Sequence, residues 1–158
     1  MKTLEIYYDL TVDSPRNWDN LGTIVQGKSK YKVGDIEVES LSEWFDDNKD
    51  LYKLPVYFYL HSGLTISTKP FNDRFDSGLL GYIFVKDNEG LSSDIIVGIL
   101  KNEIAILNEY LQGNVFGYQI KDGDEVIDSL AGIIGVDELY YHLNEYSKEE
   151  IDKIIEKL

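Results

Sequence analysis

Three segments rich in aromatic and β-branched residues lie close together in the middle of the chain. LPVYFYL (54–60) and GYIFV (81–85) are typical of strands, and LTIST (64–68) alternates apolar and polar side chains as a half-buried strand does. Only HSG separates the segments at 54–60 and 64–68, a length that suits a hairpin with a tight turn. Because a hairpin is antiparallel, this region predicts a sheet that is mainly antiparallel.

The longest predicted helix is SDIIVGILKNEIAILNEYLQG, from Ser93 to Gly113. Its apolar residues recur every three or four positions and therefore share one face of a helix. Ser93 is the expected N-cap, and Gly113 is the expected residue at the C-terminus. The apolar stripe consists of Ile96, Leu100, Ile104, Leu107 and Leu111.

Weaker patterns predict the remaining elements. Strands are predicted at Leu4–Leu10, at 21–26, in NVFGYQI and in EVIDSL, and helices after the capping residues Ser40 and Ser147 and within DELYYHLNEY. Together these elements predict one α+β domain over residues 1–158. Its antiparallel-rich sheet packs against a central long helix, with short helices in the N-terminal half and at the C-terminus.

Charge is the most extreme property of this sequence. Twenty-nine acidic and fifteen basic residues give a net charge of −14. Such a field repels nucleic acid and anionic membranes and attracts basic surfaces. The charge therefore predicts a basic protein partner, with no direct binding to nucleic acid or membrane. An acidity that serves only solubility is the alternative.

The residue types that are missing exclude several kinds of chemistry. The chain has no cysteine, which removes thiolate catalysis and thiolate metal sites. Its two histidines, His61 and His142, fall in different predicted elements, so we expect neither a metal site nor a cofactor. The N-terminus lacks the apolar core of a signal peptide, and no segment has the roughly 20 apolar residues of a membrane-spanning helix. We therefore expect a cytoplasmic protein.

Acidic residues are concentrated in the segment 35–50, which contains seven carboxylates and a single lysine. In an extended stretch the first three would lie on one face, and the other four belong to the predicted helix. Carboxylates in a row can occupy a basic groove built for the phosphates of a duplex, which carries about one charge per 1.7 Å. The predicted partner-binding residues are Asp35, Glu37, Glu39, Glu43, Asp46, Asp47 and Asp50. A solvated helix face with a capping box explains the later four equally well.

The stretch HSGLTISTKPFNDRFDSGLLG (61–81) holds the densest cluster of reactive residue types. A small enzyme or ligand-binding pocket is the alternative function, although no G-x-S-x-G motif accompanies the serines. Short polar residues and glycines are also what turns between strands require. The residues of this alternative pocket are His61, Ser62, Arg74, Asp76 and Asp128.

Several phrases occur in an order that resembles an uncharacterised family of small proteins of phages and other bacterial mobile elements. They are WDNLGTIV, YLHSGLTIST, FDSGLLGYIFV, YLQGNVFGYQI and DSLAGIIG. The chain departs from that pattern at Gln26 and at Leu130-Ala131, and the resemblance supplies no catalytic residue. What it implies is an inhibitor of a bacterial defence system, anti-CRISPR or anti-restriction, acting in the cytoplasm of a bacterial host. A homodimer stays open, because the tyrosine pairs 7–8 and 140–141 suit either an interface or the edge of a core.

Overall fold

The computed structural model describes all residues, Met1–Leu158, and contains eight strands and four α-helices. The strands are β1 Lys2–Tyr8, β2 Thr23–Gln26, β3 Ile36–Glu37, β4 Tyr52–Leu60, β5 Leu64–Ser67, β6 Ser77–Val85, β7 Val115–Asp122 and β8 Glu125–Ile134. The helices are α1 Leu41–Asp47, α2 Ser93–Leu111, α3 Val136–His142 and α4 Lys148–Glu156. The α+β class and the mainly antiparallel pairing are confirmed.

The chain divides into two compact units. Unit 1 comprises Met1–Ser14 and Glu109–Leu158, and unit 2 comprises Pro15–Asn108. The strands form two sheets, a three-stranded one in unit 1 and a five-stranded one in unit 2, whereas the sequence predicted one sheet. That residues 1–158 form a single α+β domain stays a prediction.

Unit 2 contains the five-stranded sheet, with the strand order β3-β2-β6-β4-β5. All its pairs are antiparallel except the two-residue contact of β2 with β3, an element the sequence did not predict. The hairpin of β4 with β5 is confirmed, with Leu60 opposite Leu64. In its turn, Ser62 and Gly63 have φ values of 57° and 141°, so the polar and small residues of HSG serve the turn.

Helix α2 supplies the core that covers one face of this sheet. Four residues of the predicted stripe are buried against Ile83 and its neighbours, and only Leu111 is exposed, at 40% of its surface. The N-cap is Ser92 rather than Ser93, because the Oγ of Ser92 accepts a hydrogen bond from the Ile95 N–H at 3.4 Å. The buried residues of the stripe are Ile96, Leu100, Ile104 and Leu107.

Unit 1 contains the sheet β1-β7-β8 and the helices α3 and α4. Antiparallel β7 and β8 form the predicted hairpin, whose turn contains Gly123 with φ 64°. The capping box of α4 is complete, because Ser147 and Glu150 each bond the other's backbone N–H. The core of the unit is made by Ile6, Phe116, Tyr118, Ile120, Ile133, Leu139, Leu143 and Ile151. A membrane crossing would need a longer and more apolar helix than any of the four.

Candidate functional site

The face of the five-stranded sheet that points away from α2 is only partly covered. Side chains alternate along a strand, and Val56 and Phe58 of β4 pack into the core that α2 completes. Tyr57 and Tyr59 therefore face the other side, which we call the outer face. The pairing of β4 with β6 has a bulge between Val56 and Tyr57, so that Val56 lies opposite Gly81 and Tyr57 lies opposite Leu79. Leu79 is therefore on the outer face together with Tyr57.

Helix α1 covers one part of the outer face with two aromatic side chains. The ring of Trp44 lies 5.8 Å from Tyr82 and 5.0 Å from Phe84, and the ring of Phe45 lies 5.2 Å from Tyr82. The Lys53 ammonium lies 5.1 Å from the Phe45 ring, a cation–π contact. The predicted inward packing of Trp44 and Phe45 is confirmed, and it turns the opposite side of α1 to solvent.

The outward side of α1 and of the turn after it carries four exposed carboxylates. Glu43, Asp46 and Asp47 follow the spacing i, i+3, i+4, which places them on one helix face, and Asp50 lies in the turn after α1. Their single ion pair joins the Asp46 Oδ1 to the Lys49 Nζ at 3.8 Å. No basic residue occupies the last turn, where the helix dipole would favour one. We call these four residues the acidic face of α1.

Asp35, which the sequence assigned to the same site, has a structural role within unit 2. Its carboxylate accepts hydrogen bonds from the Arg16 Nη2 at 2.6 Å and from the Ile24 N–H at 2.8 Å. Arg16 also donates to Glu103 at 3.2 Å, and the side chains of Arg16 and Glu103 are each only 9% exposed. Burial alone would lower the pKa of Arg16, but its bonds to Asp35 and Glu103 raise it. Asp35 therefore neutralises a buried cation.

Glu37 and Glu39 are held by lysines of the preceding loop. The Lys28 Nζ lies 2.9 Å from Glu37 and 3.3 Å from Glu39, and Lys32 also pairs with Glu37. Hydrogen bonds from Lys32 and then Lys28 lower the pKa of Glu37. The structure thus separates the seven predicted residues into three that pair with Arg16, Lys28 or Lys32 and the four of the acidic face, of which only Asp46 has an ion pair, with Lys49.

The rest of the outer face is open and aromatic. The ring of Tyr59 lies between His61 and Phe71, with centroid distances of 5.8 and 5.4 Å. Two shallow depressions follow the loop between β5 and β6, and Arg74 lines both of them. Phe75 protrudes from this loop with 95% of its surface exposed. We call Tyr57, Tyr59, Phe71, Arg74, Phe75 and Leu79 the open aromatic patch.

No hydrogen bond or ion pair joins any two members of the alternative pocket. Its fifth residue, Asp128, belongs to unit 1, where it accepts a hydrogen bond from the Tyr118 hydroxyl at 3.2 Å. His61, Ser62, Arg74 and Asp76 are exposed residues of two loops in unit 2. No group of three His, Asp or Glu side chains could hold a metal ion.

Asp73, which the sequence did not single out, organises the loop that carries Arg74 and Phe75. Its Oδ1 accepts hydrogen bonds from the N–H groups of Phe75 at 2.8 Å and Asp76 at 3.0 Å. These two bonds, the Asp76 one first, and more weakly the charge of His61, lower the pKa of Asp73. An aspartate that bonds the backbone two and three residues ahead is a turn former, which explains why polar residues concentrate here.

Most of the negative charge lies outside the segment that the sequence indicated. Unit 1 contains fifteen acidic and five basic residues, a net of −10, and unit 2 contains fourteen acidic and ten basic residues. The division became visible only in the structure, because unit 1 is assembled from both ends of the chain.

Compared with family models, with curated proteins and with solved structures, the chain matches none of them.

Proposed function

We propose that this protein binds a basic surface of a nucleic-acid-handling bacterial protein and competes there with nucleic acid. The outer face of unit 2 is the proposed contact surface. The observation that carries the proposal is the acidic face of α1, whose four exposed carboxylates have one ion pair among them, Asp46 with Lys49 at 3.8 Å. We propose this surface in place of the seven predicted partner-binding residues, because Asp35, Glu37 and Glu39 already have cationic partners.

The acidic face of α1 costs the free protein stability. Like charges at i, i+3 or i, i+4 destabilise a helix by roughly 0.2–0.5 kcal/mol per pair. Asp46 and Asp47 also lie in the last turn of α1, where the helix dipole disfavours negative charge. A cationic partner surface would relieve both effects. Its binding to α1 would therefore be more favourable than its binding to a helix of mixed charge.

The open aromatic patch supplies the apolar part of the same interface. Tyrosine and arginine are enriched among the residues that contribute most to protein–protein binding, and such residues lie beside polar rims. Burial, and secondly the neighbouring Tyr57, raise the pKa of Tyr82, which is the residue that α1 covers.

The resemblance to small proteins of phages supports a particular class of partner. A phage gains from blocking a restriction or CRISPR nuclease, and these enzymes have basic grooves for nucleic acid. Carboxylates that enter such a groove compete with phosphates for the same arginines and lysines. Direct binding of nucleic acid by a chain of net charge −14 is opposed by its own field.

The test uses two charge-reversal variants with equal net charge. Asp46→Lys/Asp47→Lys alters the acidic face of α1, and Asp19→Lys/Glu89→Lys reverses two exposed acids elsewhere in unit 2. Each is measured for inhibition of DNA cleavage by a panel of restriction and CRISPR nucleases at 50 and 200 mM salt. We expect the wild-type protein to inhibit at least one nuclease, and to inhibit it more weakly at high salt. The first variant should lose inhibition at least tenfold, and the second less than threefold.

Two outcomes would refute the proposal. Wild-type protein that inhibits no nuclease and binds none of them at 50 mM salt removes the proposed partner class. Equal losses in the two variants would show that only net charge matters and that the outer face is not the contact surface.

A further inference from the structure

The strand β8 is an exposed edge of the sheet in unit 1. It pairs with β7 on one side only, and its residues from Glu125 to Gly132 are all exposed. Three of them are large apolar side chains: Val126 and Ile127 are each 45% exposed, and Leu130 is 38% exposed. The backbone of residues 126–131 makes no hydrogen bond beyond the β7–β8 ladder. A row of backbone donors and acceptors therefore faces solvent.

The other edge strands of the two sheets, β1, β3 and β5, are shorter than the ten-residue β8. In β5 of unit 2, the Ile66 N–H donates to the Asn108 side chain at 3.0 Å, and β3 has only two residues. In unit 1, the edge strand β1 has seven residues and begins with a lysine, Lys2, and α4 contacts it. Natural edge strands are usually protected by lysine, proline, bulges or short length. β8 has ten residues with neither lysine nor proline, and its two bulges leave the pairs of residues 128–130 with 118–120 regular.

The charge of unit 1 decides which occupant suits this edge. Glu125 and Asp128 lie on β8 and Asp124 lies in the turn before it, within a unit of net charge −10. A second copy of the chain would bring the same net charge of −10 to the interface. An extended segment that alternates basic and apolar residues would instead place its cations on the face of Glu125 and Asp128 and its apolar side chains on the face of Val126, because these residues lie opposite Asp122, Ile120 and Lys121 of β7.

We propose that β8 binds a basic extended segment of a partner protein as an additional strand. Main-chain hydrogen bonds supply much of the affinity in such strand addition, and the alternating side chains supply specificity. The surface belongs to unit 1, whereas the outer face belongs to unit 2, so this proposal goes beyond the proposed function and is tested independently of it.

The probe is a synthetic eight-residue peptide that alternates lysine and valine, with blocked ends and a fluorophore. A control peptide carries proline at one central valine and N-methyllysine at the adjacent lysine, which removes one N–H group from each edge of the peptide at equal charge. Affinity is measured by fluorescence anisotropy, and amide hydrogen exchange is followed in β8. We expect the lysine–valine peptide to bind and to slow exchange within residues 126–131, and the proline peptide to bind at least tenfold more weakly.

Two protein variants with equal net charge separate strand addition from attraction to acidity. Ile127→Lys/Leu130→Lys places lysines on the edge, and Tyr141→Lys/Leu158→Lys places them at exposed positions elsewhere in unit 1. We expect the edge variant to lose at least tenfold in affinity for the peptide and the control variant no more than threefold. Circular dichroism checks that both fold, and Leu130→Lys alone replaces the edge variant if it does not.

Each contrary result overturns the proposal. Equal losses in the two protein variants would mean nonspecific charge attraction, and unchanged exchange at residues 126–131 would place the peptide elsewhere. A sedimentation experiment that shows a dimer of wild-type protein, dissolved by the edge variant, would make a second copy the occupant. The variant Asp46→Lys/Asp47→Lys should still show slowed exchange in β8 when the lysine–valine peptide binds. A failure of the proposed function at α1 can therefore be distinguished from a failure of strand addition at β8.

Discussion

Two aspartates in the acidic segment, Asp35 and Asp47, should respond very differently to the same truncation. Asp35 accepts hydrogen bonds from Arg16 at 2.6 and 3.2 Å and from the Ile24 N–H at 2.8 Å. Asp47 is exposed, with no hydrogen bond or ion pair. Alanine at either position removes one negative charge, so Asp47→Ala is a matched control for Asp35→Ala.

The magnitude follows from what Asp35→Ala leaves behind. Arg16 is only 9% exposed and would keep Glu103 as its single carboxylate partner, at 3.2 Å. Removing one partner of a buried ion pair costs about 3–5 kcal/mol. Because the Asp35 side chain is 28% exposed, the lower end applies, and we expect a loss of about 3 kcal/mol in the free energy of unfolding. A chain of this size then melts about 6–12 °C lower.

For Asp47→Ala we expect a change within about 0.5 kcal/mol, in the stabilising direction. The substitution removes a like charge from the acidic face of α1 and a negative charge from the C-terminal turn of the helix. Urea unfolding followed by tryptophan fluorescence and by circular dichroism measures both variants. If Asp35→Ala costs less than 1 kcal/mol, or if the two variants lose equal stability, Asp35 is not a structural anion, and the division of the acidic segment is wrong.

Three further substitutions test the geometry of single side chains. The hydrogen bond to Asp152, together with burial, raises the pKa of Tyr140 to about 12. The stability that this bond contributes should therefore be complete below pH 10 and lost as the pH rises from 10 to 12. Tyr140→Phe should abolish the phenolate absorbance that appears last in an alkaline titration. Gly81→Ala places a Cβ 1.9 Å from the Val25 carbonyl oxygen, so urea unfolding should show a loss of roughly 3 kcal/mol. Gly98→Ala, where a Cβ meets no atom within 4 Å on the exposed side of α2, should instead gain about 0.5–1 kcal/mol; a loss there would contradict the open surroundings.

Local patterns in the sequence predicted most of the helices and strands. The spacing of Ile96, Leu100, Ile104 and Leu107 predicted α2, because a helix buries one stripe whatever it packs against. Ser147 and Glu150 predicted the start of α4 in the same way, since a capping box involves only neighbouring residues. The aromatic strands at 54–60 and 81–85 needed no partner to be recognised.

The arrangement of the strands into two sheets was decided only by the tertiary structure. β1 pairs with β7, with Lys2 opposite Asp122, and nothing local to either strand specifies that partner. The pairing joins both ends of the chain into unit 1 and concentrates negative charge there, which no scan along the sequence would show.

The acidic segment shows the same division between local and tertiary information. Its charge and its helical half, with Trp44 and Phe45 turned inward, follow from residue types and spacing. Whether a carboxylate is available depends on cations that lie elsewhere in the chain. Arg16 reaches Asp35 across 19 positions, and Glu103 joins them from 87 positions beyond Arg16. Residue types and their spacing thus specify which residues are charged and where most of the helices and strands lie. The fold specifies which charges are neutralised, because neutralisation depends on distance in space.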